Sequence, residues 1–394
     1  MWTACSRSFG HSSRARRHEG RFASSRARPR ALSTAPVGTR RLRGALNGVA
    51  RAAVIATLLP AVLLALGYQW ELAGSWWLEL LQYMPWPLYL LPALAAFIAS
   101  FLLRPVWRLA AALGLGLVLT VVMGLAVNRG DAGASPMRFM TYNIKAYLAK
   151  HRPGGFDVLA QEVARHDPDI LVMQDAGDFA RLRQQQPELA ASVFAGRSVH
   201  VQGQYIVVSR YPLRDCRPGD LSLPGGGYDY VRCTVTVHGV DVDVVTAHLV
   251  SPRHGLAATR RDPAEGIDDW EQNFNDRLAQ SQHLAADLRQ RRSFAPPTRA
   301  LIVAGDLNAP ETSPVIRSLL NLGLRDAFSA GGRGYGYTYG HALEARSAFF
   351  GSFLRIDHIL VSPGIGVAGC FAGGAQASEH RPVIADLLLQ REPR

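Results

Sequence analysis

Cysteine is scarce in this chain, with four residues in 394, and no two have the spacing of a thiolate metal site. A fold held together by structural zinc is therefore excluded. Acidic residues are nearly missing from the first third. Residues 1–129 hold 15 Lys+Arg and 3 Asp+Glu, a net of 15 − 3 = +12, whereas residues 130–394 hold 28 of each. The C-terminal part thus has no net positive excess to follow a polyanion, which argues mildly against tight duplex binding. The cluster Arg289, Arg291, Arg292 and Arg299 reads as a solvated helix end. No internal repeat is present.

Charge is also missing from three apolar runs, Ala52–Tyr68, Met84–Leu103 and Leu109–Val127. Each approaches the roughly 20 apolar residues that a spanning helix needs, and proline inside them is tolerated in that setting. A cleaved signal peptide has one short apolar region, not three. The lack of Asp, Glu, Lys and Arg within the runs speaks against a transport path. Arg40, Arg41, Arg43 and Arg51 precede the first run, and Arg104 and Arg108 separate the second from the third. The link between the first and second has Glu71 and Glu79 but no Lys or Arg. Positive-inside counting then predicts three transmembrane helices, with everything after Asn128 extracytoplasmic. Trp70, Trp76, Trp77, Tyr83, Trp86 and Tyr89 fall where an interfacial aromatic belt would lie. The Arg/Ser/Ala-rich residues 1–44 read as disordered, or as resembling a transit peptide. The expected organisation is a basic tail 1–44, a membrane region 45–128, a linker 129–136 and a folded domain 137–394.

Within that domain, β-branched alternation predicts strands at Met137–Tyr142, Asp169–Met173, Tyr205–Ser209, Asp215–Leu221, Asp229–Val237, Val240–Thr246, Ala300–Ala304, Ile356–Val361, Ile365–Phe371 and Val383–Leu389. Helical spacing predicts helices at Phe156–His166, Trp270–Arg292 and Pro314–Leu322. Mixed helices and strands with hairpin signals point to a two-sheet α+β sandwich with helices outside. Cys216 and Cys233 fall in adjacent predicted strands; a disulfide and two free thiols are both open. Cys370 reads as core. The Gly331–Gly340 loop, with three tyrosines, either flanks a cleft or merely connects.

Six polar phrases occur in a fixed order with strand-like runs: Thr141-Tyr-Asn-Ile, Gln174-Asp, Thr246-Ala-His-Leu, Gly305-Asp-Leu-Asn, Arg355-Ile-Asp-His and Ser378-Glu-His-Arg-Pro-Val. Each alone has a bland reading, a turn former or a structural histidine. Together they offer what phosphoester hydrolysis needs: oxygen ligands for a divalent ion, a base for water, and donors for phosphoryl charge. The order resembles that of the endonuclease/exonuclease/phosphatase (DNase I-like) superfamily, over about residues 137–390.

The resemblance implies a four-layer α/β/β/α sandwich, Mg²⁺ (or Mn²⁺) as cofactor, and a membrane-anchored phosphoester hydrolase. Its implied catalytic residues are His248, Asp306, Asn308, Asp357 and His380, with Asp306 handling the attacking water and Asp357 orienting His380. Asn143, Asp175 and Glu379 are the implied metal-site residues. Asp175 stands where the family has Glu, Glu379 where it has Asp, and Lys145 where some nuclease members carry an acid. These exchanges leave open a catalytically inactive membrane-anchored binding protein of the same fold. Expected partners are the lipid bilayer and a phosphoester: nucleic acid, a phospholipid headgroup or a phosphorylated small molecule. No protein partner is expected.

Overall fold

The N-terminal apolar runs become helices, and two of them start with proline at the first turn, where its missing N–H costs nothing. In a computed structural model, α1 spans Val37–Gln69, α2 Trp76–Gln82, α3 Pro87–Ala99 and α4 Pro105–Leu117. The structure describes residues 37–69, 75–133, 136–221, 223, 227–262, 266–294, 300–341 and 351–389. Most of the basic tail, Trp70, Glu71 and Arg299 lie outside the described residues. Residues 37–44, read from sequence as disordered, form the first turns of α1.

Two helices, Arg41–Gln69 and Pro105–Val122, are long and apolar enough to cross a membrane. The expected span Met84–Leu103 differs. Its helix, Pro87–Leu102, reaches the necessary length only together with α2, across a 75° bend. The expected span Leu109–Val127 also ends early. Gly124, at φ +72°, breaks it, and β1 (Ala126–Val127) pairs with β11 (Arg333–Gly334). The expected linker is docked as well: Asp131 Oδ2 accepts from the Val367 amide at 2.8 Å.

Two six-stranded sheets follow. The first contains β2 (Met137–Asn143), β3 (Ile170–Gln174), β4 (Ser198–Gln202), β5 (Tyr205–Ser209), β13 (Ile365–Ala372) and β14 (Val383–Leu389), in the order β13-β14-β2-β3-β5-β4. The second contains β6 (Leu213–Asp220), β7 (Asp229–Val237), β8 (Val240–His248), β9 (Ala300–Asp306), β10 (Arg325–Asp326) and β12 (Asp357–Val361), in the order β10-β12-β9-β8-β7-β6. Strands such as Ile170–Gln174 and Ala300–Asp306 are buried along their whole length. Both of their faces are covered, which is why they read as unbroken apolar runs.

Phe139, Val172, Val207, Val244, Ile302 and Ile359 fill the space between the sheets. On the far face of the first sheet, Leu159, Val163 and Phe179 pack beneath helices. On the far face of the second, Leu284, Leu288 and Ile316 do the same. The result is the α/β/β/α sandwich of the DNase I-like fold. Cys216, in the bulge of β6, and Cys233 on β7 form a disulfide, and Cys370 is a buried free thiol.

The α2 region is part of this core assembly. Tyr83 is 3 % exposed and meets Trp270 edge-on at 5.2 Å, and the Trp270 indole donates to the Trp76 carbonyl at 2.9 Å. Glu79 pairs with Arg277 at 3.2 Å, both side chains fully buried. Trp76, Tyr83 and Trp86, expected in an aromatic belt, thus pack against Trp270, Phe353 and Ile356 of the domain. Trp77 is exposed.

Candidate active site

Sheet register brings the polar phrases together. Asn143 and Gln174 are neighbours on the last rung of the parallel pair β2/β3. His248 and Asp306 are neighbours on the last rung of the parallel pair β8/β9. Asp357 opens β12 rather than following a strand, and antiparallel pairing sets it opposite Asp306. His380 comes from the turn ahead of β14 and bridges to Tyr339. The buried Gln174 amide ties the sheets together, donating to Thr141 Oγ1 on one (3.1 Å) and Thr246 Oγ1 on the other (2.8 Å).

The floor of the site is desolvated. Asp306 accepts from Asn143 Nδ2 at 2.8 Å and from the Asn308 amide at 3.0 Å. His380 Nδ1 donates to Asp357 Oδ2 at 2.9 Å, which leaves Nε2 3.6 Å from Asp306 Oδ2. On the other side, His248 Nδ1 donates to Gln204 Oε1 at 2.8 Å and its Nε2 lies 3.5 Å from Asp306 Oδ2. Asp175 Oδ1 stands 3.6 Å from His248 Nδ1. Asn308 is fixed from two directions: its side chain donates to the Leu249 carbonyl at 2.8 Å, and its carbonyl accepts from the Tyr83 hydroxyl at 2.6 Å. Lys145, Asp175 and Asn308 all take positive φ (39°, 51° and 50°), a costly backbone state for such residues that clusters at functional sites.

Electrostatics of the floor are set by two carboxylates in one dry space. Burial raises the Asp306 pKa, and the nearby Asp357 charge raises it further; His380, His248 and the Asn143 amide pull the other way without reversing it. Burial alone would lower the His380 pKa, but the Asp357 and Asp306 carboxylates outweigh it and the imidazolium is favoured. Asp357 Oδ1 is buried without a hydrogen-bond partner. One donor atom each from Asp306, Asp357 and His380 lies within 4.8 Å of the others. An orphaned carboxylate oxygen beside a second carboxylate and an imidazole suits a divalent cation.

Glu379 sits elsewhere. Its carboxylate pairs with Arg253 at 3.0 Å and lies 3.8 Å from both Lys145 Nζ and Arg152 Nη2, so it belongs to a basic rim and not to the Asp306/Asp357/His380 group. The remaining residues named from sequence meet around one cleft. Several of its other parts went unread. Arg253 donates to the Tyr339 hydroxyl at 3.1 Å, and the Tyr339 ring lies 4.7 Å from that of His380. The Gly331–Gly340 loop therefore flanks the cleft, and its three tyrosines were the available signal. Behind the floor, His358 lies between Asp326 Oδ2 (2.9 Å) and the Ala309 carbonyl (2.8 Å), and Arg355 pairs with Asp326 at 2.9 Å.

Among solved structures, the chain is similar to truncated TDP2 from Caenorhabditis elegans (17 % identity, 64 % of this chain and 97 % of that chain, TM-score 0.47). It is also similar to a mannosyl-6-phosphatase of Bacteroides thetaiotaomicron (16 %, 64 % and 100 %, TM-score 0.48). An endonuclease/exonuclease/phosphatase from Beutenbergia cavernae aligns at 20 % identity over 65 % of this chain and 72 % of that one, TM-score 0.44. A search of curated proteins returned no match. The profile of the Endonuclease/Exonuclease/phosphatase family matches residues 140–380, from the strand that ends in Asn143 to His380 itself. With well over half of the chain matched, this protein belongs to the endonuclease/exonuclease/phosphatase family.

Proposed function

We propose that the chain is a metal-dependent phosphoester hydrolase held at a membrane by its N-terminal helices. The observation that carries this reading is the buried Asp306/Asp357/His380 group with its unpartnered Asp357 oxygen. In it, Asp306 holds the attacking water and takes its proton, a role suited to a carboxylate whose pKa is raised. Asn143 and the Asn308 amide fix the two Asp306 oxygens in place. Asp357 orients His380, whose Nε2 meets the charge that develops on the phosphoryl group. His248, held by Gln204, faces the same space and is positioned to protonate the leaving oxygen. Asp306 and the free Asp357 oxygen offer ligand atoms for a cation, with Asn143 and Asp175 at the same cleft. Bound there, Mg²⁺ or Mn²⁺ would neutralise phosphoryl charge and acidify water.

The helices Arg41–Gln69 and Pro105–Val122 support a membrane location, and the Cys216–Cys233 disulfide supports an oxidising compartment, hence an outward-facing domain. The second reading, an inactive binding protein, draws support from Glu379 being engaged by basic residues. One experiment separates the two. The full chain in lipid nanodiscs is assayed with Mg²⁺ or Mn²⁺ on single- and double-stranded DNA, RNA, a choline phospholipid, an inositol phosphate and an aryl phosphodiester. EDTA-sensitive hydrolysis that is lost in His380→Ala is expected. A folded protein that turns over nothing would favour the binding reading.

A further inference from the structure

The catalytic floor opens into a cleft of about 780 Å³, within the usual range for ligand sites. Its lining combines two chemistries. Asp175, His248, Asp306 and His380 are polar, with Lys145 and Arg253 beside them. Leu80, Met84, Leu256, Ala257, Phe353 and Ile356 are apolar. Leu80 and Met84 belong to α2 and the bend that leads into α3, so the apolar N-terminal region itself supplies part of this wall.

That wall is bolted down. Glu79 is paired with Arg277, the Tyr83 hydroxyl donates to the Asn308 carbonyl, and Thr312 Oγ1 donates to Gln82 Oε1 at 2.9 Å. A sugar or nucleotide would set hydroxyls or base edges against the apolar side chains of Leu80, Met84 and Phe353, at a desolvation cost. A hydrocarbon chain would gain by the same contact. The two rim cations, already shared with Glu379, leave charge for no more than one phosphate group, and residues 130–394 carry no net positive charge to follow a polyanion.

We infer that the site takes an amphiphilic phosphoester, its phosphate over Asp306 and His380 and its hydrocarbon chain along the wall made by the α2–α3 bend. The inference rests on the hydrolase reading. In the reaction, water forms the new P–O bond, the P–O bond to the leaving alcohol breaks, one water proton goes to Asp306, and the leaving oxygen gains a proton from His248.

The test uses the full chain in nanodiscs with ethyl, octyl and dodecyl phosphate and the matching alkyl phosphocholines, below their micelle concentrations. kcat/KM should rise about two- to fourfold for each methylene that enters the wall, until the wall is filled. Ala257→Trp, which fills the apolar side, and Met84→Gln, which makes it polar, should each cut the dodecyl-to-ethyl ratio by about tenfold or more. Neither should change ethyl ester turnover by more than about twofold. Partitioning into the disc is the same for all three proteins and cannot mimic this. Turnover with no chain-length dependence, or a dependence unchanged in both folded variants, would overturn the inference and leave the hydrolase reading intact. Should no ester be cleaved, titration calorimetry with ethyl, octyl and dodecyl phosphonate decides the matter. Chain-dependent binding weakened by Ala257→Trp supports the cleft assignment while the hydrolase reading fails; chain-independent or undetectable binding overturns both.

Discussion

The floor and the rim of the cleft are built differently. Asn143, Asp306, Asp357 and His380 are at most 2 % exposed and are held by bonds to one another. On the rim, the side chains of Asp175, His248 and Glu379 are 19, 15 and 16 % exposed, and that of Arg253 is 50 % exposed. The residues that the family resemblance reads as departures, Lys145, Asp175 and Glu379, line the rim. A rim carboxylate can lengthen or shorten by a methylene because water and mobile side chains absorb the change. A desolvated floor group has no such freedom, because any misplacement leaves a charge or donor unpaired in low dielectric.

The largest effects should come from the floor. Asp306→Asn and His380→Ala are expected to lower kcat by about 10²–10⁴-fold in protein that still folds cooperatively, measured on the most reactive ester. Equal losses from Asp175→Ala would erase the distinction between floor and rim. Next comes the support of the cleft wall. Arg277→Met leaves the Glu79 carboxylate buried and unpaired, a cost of about 3–5 kcal/mol in stability. Glu79→Leu combined with Arg277→Met should restore most of it, read by denaturant midpoints. By the same argument, a fragment starting at residue 133 loses Glu79 and leaves buried Arg277 without its counter-ion, so it should melt below the full chain.

The third test concerns the layer behind the floor. Burial alone would raise the Asp326 pKa, yet Arg355 and His358 overcome it and hold it well below its ordinary 3.8. A carboxylate depressed in the folded state adds stability that is complete above the unfolded value and is lost as pH falls through the folded value. Melts from pH 7 to pH 2 should therefore show Asp326→Asn less stable at neutral pH, with a flatter decline below about pH 4 than the wild type. The smallest effect is expected at the rim. Asp175→Glu should change the rate by less than about tenfold but alter the Mg²⁺/Mn²⁺ preference; a preference unchanged from the wild type would count against Asp175 as a ligand.

Much of the floor was legible in the sequence, for a local reason. Asn143 and Asp306, and His248 beside them on the rim, end strands whose β-branched runs are plain to read, and parallel pairing places such ends side by side. The rim was less legible. Arg253 opens a helix of only nine residues, Arg253–Arg261, and its meeting with Tyr339 and Glu379 spans 86 and 126 residues. Glu379 read as a metal-site residue because it precedes His380, but adjacent residues need not point the same way.

The sequence by itself determined most of the strands, the ordered polar phrases, the family and the apolar character of the N-terminal helices, because each is written in short-range pattern and composition; β4 and the two-residue strands β1, β10 and β11 were not legible there. Only the tertiary structure decided that the α2–α3 bend walls the catalytic cleft. Glu79 looked like a loose charge between two apolar runs, and its partner lies 198 residues away. No local signal foretells such a pair; it exists because folding buries both charges in one dry space, where each is tolerable only with the other.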